Sequence, residues 1–227
     1  MKIVILGNGI SGITAARHLR KQSHHDIVVI SSESNYFFSR TALMYIYMGH
    51  MTLKNTQPYE TDFWEKNNIQ LVYDHVQAID FTGQKLQFSS KRDEMGYDKL
   101  VLAVGSSPNK FGWPGQELSG VSGLYSLQDL STMEQFSKGL ERAVIVGGGL
   151  IGIEMAEMFH SRKIPVTFLV RENSFWEQVL PPEESEMVNR EIREHHIDLR
   201  LKTELKAILD NGQGKVSAVR TNQQEKI

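Results

Sequence analysis

Gly7-Asn8-Gly9-Ile10-Ser11-Gly12 stands directly after an apolar run, Ile3-Val4-Ile5-Leu6, and directly before Ile13-Thr14-Ala15-Ala16-Arg17-His18-Leu19. The run reads as a buried strand and the stretch after the glycines as a helix. Strand, glycine turn and helix give a weak six-residue pattern the context of a dinucleotide-binding site. Each glycine has its own task. Gly7 permits the tight turn, and Gly9 lets the backbone approach a pyrophosphate. Gly12, with Ala16 after it, lets the helix lie close to the strand. Unpaired N–H groups and a partial positive charge at the helix start complete an anion site.

One such pattern is poor evidence, but the chain carries two. Gly147-Gly148-Gly149-Leu150-Ile151-Gly152 repeats it after another apolar run, Ala143-Val144-Ile145-Val146, and Ala156 follows Gly152 as Ala16 follows Gly12. In the first copy a polar connection leads to Ile27-Val28-Val29-Ile30. This second strand is expected to run parallel to the first through a right-handed crossover. Glu33 lies just past its end, about 20 residues beyond the glycines, where a carboxylate can hold ribose hydroxyls. The plainer reading of Glu33 is a solvated loop acid. Arg40 suits a phosphate or the face of a ring, or is an ordinary surface arginine. Tyr36, Phe37, Phe38, Tyr45 and Tyr47 either line a flat-ring pocket or belong to the core.

Residues 61–67 predict a short helix and 71–73 a third parallel strand. Residues 76–80 and 85–88 predict a hairpin around Thr82-Gly83-Gln84. Leu100 to Gly105 is apolar and predicts a strand whose small end, Ala103-Val104-Gly105, lets a ligand approach the backbone. The segment 106–123, rich in Gly, Ser and Pro, reads as a linker. Residues 126–138 predict a helix with Ser126 as N-cap and Asp129 in its first turn. The second copy continues with a strand at 166–170 ending in Arg171 and Glu172, then a helix at 183–195 and a strand at 197–201. A hairpin around Asn211-Gly212 follows. The expected fold is therefore α/β: two tandem Rossmann-like βαβ domains, each with a β-hairpin or meander. They occupy residues 1–108 and 141–227, with a linker and lead-in helix at 109–140.

Composition removes several function classes. Lys+Arg total 25 against 27 for Asp+Glu, a net charge of -2 without a basic stripe, so nucleic acid has no electrostatic handle. No run has the length of a membrane span. The first strand begins at once after Met1-Lys2, which leaves no room for a signal-peptide pattern. A cytoplasmic protein is expected. With no cysteine in the chain, it has no disulfide, thiolate metal site or redox-active dithiol of its own. His24-His25 and His195-His196 lack the i, i+4 spacing of a helix-borne metal site, and no metal is expected. Trp64, Trp113 and Trp176 read as local packing or, for the last two, as the edge of a partner surface.

Taken in order, GNGISG (7–12), ISSESNYFFSR (30–40), YDKLVLAVGSSP (97–108) and VIVGGGLIGIEMAE (144–157) resemble the pyridine nucleotide–disulfide oxidoreductases over essentially the whole chain. These are flavoproteins with two dinucleotide-binding domains. The resemblance is to the branch without a redox disulfide: the NAD(P)H-dependent reductases of rubredoxin and ferredoxin, and the FAD-binding parts of nitrite reductases. It implies a flavoprotein oxidoreductase in which NAD(P)H passes hydride to FAD and electrons leave to a carrier protein or a small acceptor. It assigns Gly7, Gly9, Ile10, Ser11 and Gly12 to the FAD pyrophosphate, Glu33 to its ribose, and Arg40, Ala103, Val104 and Gly105 to its surroundings. Gly147, Gly149, Leu150, Ile151 and Gly152 fall to NAD(P)H, with Glu154 near the nicotinamide and flavin. No side chain is assigned as nucleophile or general base.

Three departures from the family stand out. Where it often carries Pro-x-Leu-Ser-Lys after the arginine, this chain has Thr41-Ala42-Leu43-Met44-Tyr45 and no lysine. Where NAD-preferring members carry an acid, it has Val170 followed by Arg171, which favours a 2′-phosphate. Finally, the family continues past the second hairpin with a closing strand, a return to the first domain and an interface domain. The chain is thus expected to be C-terminally truncated, with an open sheet edge that favours a homodimer. A non-enzymatic dinucleotide-binding module, or one chain of a split flavoprotein, is the alternative.

Overall fold

A parallel strand covered on both faces needs a continuous apolar run, whereas an edge strand tolerates alternation. The computed structural model describes residues 1–227 and sorts the chain's apolar runs in this way. The chain forms two units: Met1–Ser107 with Tyr125–Gln128, and Pro108–Leu124 with Asp129–Ile227.

The first unit begins β1 (Lys2–Leu6), α1 (Ile10–Gln22), β2 (Asp26–Ser31). After a 3-10 turn at Arg40–Ala42 come α2 (Leu43–Tyr47), a second 3-10 turn, and α3 (Phe63–Lys66). Then follow β3 (Ile69–Tyr73), β4 (Val76–Asp80), β5 (Lys85–Phe88), β6 (Met95–Gly96) and β7 (Lys99–Leu102). The main sheet has the order β3-β2-β1-β7, every pair parallel, with Ile5 opposite both Val29 and Val101. β1 and β2 are central and nearly all buried. One face of the sheet packs Ile5, Ile27 and Val29 against Ile13 and Ala16 of α1 and against Trp64. The other packs Val4, Leu6, Val28 and Ile30 against Leu86, Phe88 and Tyr97, from the meander β4-β5-β6 and its exit.

β7 departs from the sequence reading. It ends at Leu102 rather than Gly105, and Leu102 and Val104 are largely exposed. As the edge of the sheet it has only β1 beside it, so its apolar composition does not translate into burial.

α4 (Leu127–Phe136) precedes the second glycine turn. The second unit then runs β8 (Ala143–Val146), α5 (Leu150–Ser161), β9 (Val166–Leu169), α6 (Pro182–Glu194), β10 (Asp198–Arg200), β11 (Leu205–Asp210) and β12 (Val216–Thr221). The parallel order β10-β9-β8 puts β9 in the centre, and all four of its residues are buried. Phe168, fully buried, packs with Ala156, Val170, Phe175 and Ile192. Truncating a phenylalanine in such a position costs about 3–5 kcal/mol.

The stretch read as a linker is built into this unit. The Ile208 N–H donates to the Pro114 carbonyl at 2.8 Å, and the Ser119 N–H to that of Gly214 at 2.9 Å. Trp113, Leu118 and Val121 pack against Leu169, Ile208 and Val219. Glycine and proline here shape a packed segment rather than a free one. The edge of β12 is also partly satisfied, because Val219 and Ile227 exchange both backbone hydrogen bonds, at 2.8 and 3.0 Å. Trp176 packs against the second core and Trp64 lies in the first, so the tryptophans follow the local-packing reading. No helix is long and apolar enough to cross a membrane.

Candidate nucleotide-binding sites

The first glycine turn is pinned from both sides. The Gly7 N–H donates to the Ile30 carbonyl of β2 at 2.7 Å, and the Ala103 N–H donates to that of Leu6 at 2.8 Å. Gly7 takes φ of 107°, and a Cβ there would lie 2.1 Å from the Ala103 carbonyl oxygen. A Cβ on Gly12 would lie 1.9 Å from the Gly7 carbonyl oxygen and 3.3 Å from Ile5 Cγ2. Gly12 is thus the residue that lets α1 sit against the turn. Gly9 is different, for a Cβ there would meet nothing within 4 Å. The middle glycine opens onto free space beside a helix start that has no side-chain cap and no acid in its first turn. Ile10 and Ser11, the next two residues, are exposed.

The second turn repeats the relations of Gly9 and Gly12 but not that of Gly7: Gly147 takes φ of 121°, and a Cβ there would meet nothing within 4 Å. A Cβ on Gly152 would lie 2.1 Å from the Gly147 carbonyl oxygen and 2.9 Å from the Phe168 ring, while one on Gly149 would meet nothing. α5 likewise starts without a side-chain cap or a first-turn acid. Leu150, Ile151 and Glu154 lie exposed on its opening turns. Val170, just past β9, is fully buried and lies under Gly148, whose Cβ would come 2.6 Å from Val170 Cγ1. Arg171 stands next, largely exposed, its Nε 2.8 Å from Glu172 Oε1. The Glu172 hydrogen bond and charge raise the Arg171 guanidinium further above its usual range. The loop that carries these two is anchored by buried Asn189, which accepts from the Phe175 N–H at 3.0 Å and donates to Ser174 Oγ at 2.7 Å.

Around the first turn the structure joins residues that sequence spacing treats separately. The Arg40 guanidinium grips Glu33 with both ends, Nη1 to Oε1 at 3.0 Å and Nη2 to Oε2 at 2.5 Å. It lies over the Tyr125 ring, 4.3 Å from the centroid, and over Phe38 at 5.4 Å. Its Nη1 also donates to the Tyr125 carbonyl. Glu33 Oε1 accepts the Leu127 N–H at 3.0 Å, and the Glu33 carbonyl accepts from Gln128 Nε2 at 3.0 Å. The Tyr125 hydroxyl accepts the Ser106 N–H at 3.0 Å, next to Gly105. Hydrogen bonding from the Ser106 side chain and then from its backbone N–H, aided by the charge of Arg40, holds the Tyr125 phenol below the usual tyrosine range.

Asn8 and Tyr125 were invisible to the sequence reading. Asn8 is buried, and its Nδ2 donates to the Ser34 and Tyr36 carbonyls at 2.9 and 3.0 Å, fastening the turn to the loop that bears Glu33. It occupies a variable place in the glycine pattern, so spacing gives it no mark. Tyr125 lies 85 positions from Arg40, and only the fold brings the two together. Of the aromatic run, Phe37, Phe38 and Tyr47 are core residues, and Tyr45 is exposed.

The family model described as pyridine nucleotide-disulphide oxidoreductase matches residues 1–227. An NADH oxidase from Lactococcus lactis subsp. cremoris is 32% identical over 233 residues, covering 98% of this chain and 52% of the relative. A rubredoxin-NAD(+) reductase from Pseudomonas putida is 28% identical over 211 residues, covering 92% of this chain and 54% of the relative. Among solved structures, the covalent putidaredoxin reductase–putidaredoxin complex aligns over 100% of this chain and 56% of its counterpart. The TM-score is 0.85 and the identity 25%. The chain thus spans about half the length of these relatives.

Proposed function

The chain belongs to the pyridine nucleotide-disulphide oxidoreductase family, and from that premise we propose that it forms the nucleotide-binding part of an FAD-dependent NAD(P)H oxidoreductase. The observation that carries this reading is the pair of glycine turns. In each, the middle glycine faces free space at an uncapped helix start while the last glycine is backed by the carbonyl oxygen of the first. A cradle of that kind suits a pyrophosphate, whose oxygens take the place of a cap.

In this reading residues 1–108 hold FAD and 141–227 hold NAD(P)H. Gly7, Gly9, Ile10, Ser11 and Gly12 bind the FAD pyrophosphate, Glu33 binds its ribose, and Arg40 and Ala103-Val104-Gly105 border it. Gly147, Gly149, Leu150, Ile151 and Gly152 bind the NAD(P)H pyrophosphate, and Glu154 stands toward the nicotinamide. Bound FAD supplies the redox chemistry, accepting a hydride equivalent from the nicotinamide and releasing electrons to an acceptor. The protein's own part is to bind and orient the two dinucleotides and to exclude water. The acceptor is a small redox carrier protein or a small oxidant, as the names of the relatives suggest, and the location is the cytoplasm. The test is FAD titration by flavin fluorescence, followed by anaerobic addition of NADH or NADPH. Saturable FAD binding and bleaching of the flavin absorbance are expected. Absence of FAD binding to the full-length protein overturns the reading.

Arg171 carries a second expectation. Its exposed guanidinium stands at the end of the second strand of the second unit, where the 2′ position of the adenosine ribose is read. Glu172 competes for it, so the net preference is modest. Arg171→Ala is expected to weaken NADPH by about tenfold, the worth of one partly screened charge-assisted contact, and to leave NADH within about twofold. Equal losses for both would remove Arg171 from 2′-phosphate recognition.

A further inference from the structure

The acid and the arginine proposed for the first nucleotide site are held in place from outside their own loop. Residues 125–128 return to the first unit after the chain has left it at Ser107. Tyr125 provides the central contact of that return. Its ring lies under the Arg40 guanidinium, its carbonyl accepts from Arg40 Nη1, and its hydroxyl accepts the Ser106 N–H. Leu127 and Gln128 then fasten Glu33 by its carboxylate and its carbonyl. Gly105 is shaped to this arrangement, because a Cβ there would lie 2.4 Å from the Tyr125 hydroxyl oxygen.

We propose that Tyr125 is a positioning residue for the adenosine end of the FAD site: it fixes Arg40 and, through Arg40, the Glu33 carboxylate. The inference rests on the FAD reading above. The physical argument is entropic. A free arginine side chain samples many rotamers, and ordering it at the moment of binding subtracts from affinity. Tyr125 removes that freedom in advance, with an aromatic face that suits a guanidinium and a carbonyl that suits its N–H groups. It joins two parts of the site, Ser106 after β7 and the Glu33–Arg40 loop, that have no contiguous sequence between them.

The test compares Tyr125→Ala and Tyr125→Phe with wild type in the full-length protein. FAD affinity is read by flavin fluorescence and ADP affinity by calorimetry, ADP probing the adenosine end without any flavin. Tyr125→Ala is expected to weaken both ligands by about tenfold to thirtyfold, the range of a partly desolvated cation–π contact. Tyr125→Phe keeps the ring and is expected to stay within about threefold. The thermal midpoint of the apoprotein should vary far less than affinity across the series. Should Tyr125→Ala fail to fold, Tyr125→Leu keeps the bulk without the aromatic face and carries the same expectation. Wild-type binding that Tyr125→Ala leaves intact overturns the assignment alone, and so does a Phe variant as weak as the Ala variant. Wild-type protein that binds neither FAD nor ADP overturns the functional reading, and the assignment with it.

Discussion

Gly9→Val is expected to abolish measurable FAD binding while moving the thermal midpoint by no more than about 3 °C, and Gly12→Ala is expected to do nearly the reverse. The two glycines are three residues apart and belong to the same pattern, yet their surroundings are opposite. Gly9 is extended, with φ −72° and ψ −176°, a conformation that valine accepts without strain. Its Cβ would enter free space, so the folded apoprotein loses only the modest N-cap preference for glycine over valine. That free space is where the proposed pyrophosphate lies, and two methyl groups there bar it from the helix start.

At Gly12 the added atom meets the Gly7 carbonyl oxygen at 1.9 Å. Helix propensity alone would favour alanine by about 1 kcal/mol. Overpacking typically costs about 1–3 kcal/mol and occasionally more. Here the obstacle is a backbone oxygen whose glycine is pinned to β2, so no rotamer change relieves it. The clash, at the upper end of that range, outweighs the propensity by about 2 kcal/mol, and Gly12→Ala should lower the midpoint by about 4–8 °C, at roughly 2–4 °C per kcal/mol for a chain of this size. Thermal melts and FAD titrations on both variants check the pair. A Gly9→Val protein that binds FAD like wild type would remove the first turn from the cofactor site.

The contrast also shows what sequence can reveal. Spacing alone separates the three glycine roles, because a turn, a ligand approach and a helix contact recur at fixed offsets whenever a strand feeds a helix this way. The buried runs of β1, β2 and β9 are equally plain, since a central parallel strand is a near-continuous apolar run, interrupted within β9 only by Thr167. β7 has the same composition and a different fate: edge or centre is a property of strand order, which no local pattern encodes. The segment 106–123 reads as a linker because glycine and proline mark any irregular backbone, packed or free. Tyr125 and Asn8 act through partners distant in the chain, so neither leaves a periodic or spaced signal. The sequence exposes groups that meet a ligand at regular intervals and conceals those that hold such groups still.

Glu33→Ala is the second large effect, and its interpretation depends on separating binding from packing. Two charge-assisted hydrogen bonds to ribose hydroxyls contribute about 1.5–3 kcal/mol each. Their loss predicts a fall in FAD affinity of about a hundredfold or more. The carboxylate already accepts three hydrogen bonds, two from Arg40 and one from the Leu127 N–H. A carboxylate offers about four such positions, so ribose must share the remaining capacity or displace the guanidinium partly toward Tyr125. Removing Glu33 therefore also strips a partner from a half-buried arginine, and some of the loss would be structural. The double variant Glu33→Ala/Arg40→Ala separates the two causes. If Glu33 holds ribose, the double variant regains stability by removing the stranded charge, yet its FAD affinity remains at least as low as that of Glu33→Ala. If Glu33 serves only as the counter-ion of Arg40, FAD affinity recovers together with stability, and the ribose role is lost. Glu33→Gln keeps the shape of the side chain with one acceptor oxygen and no charge, and its affinity should fall between wild type and Glu33→Ala.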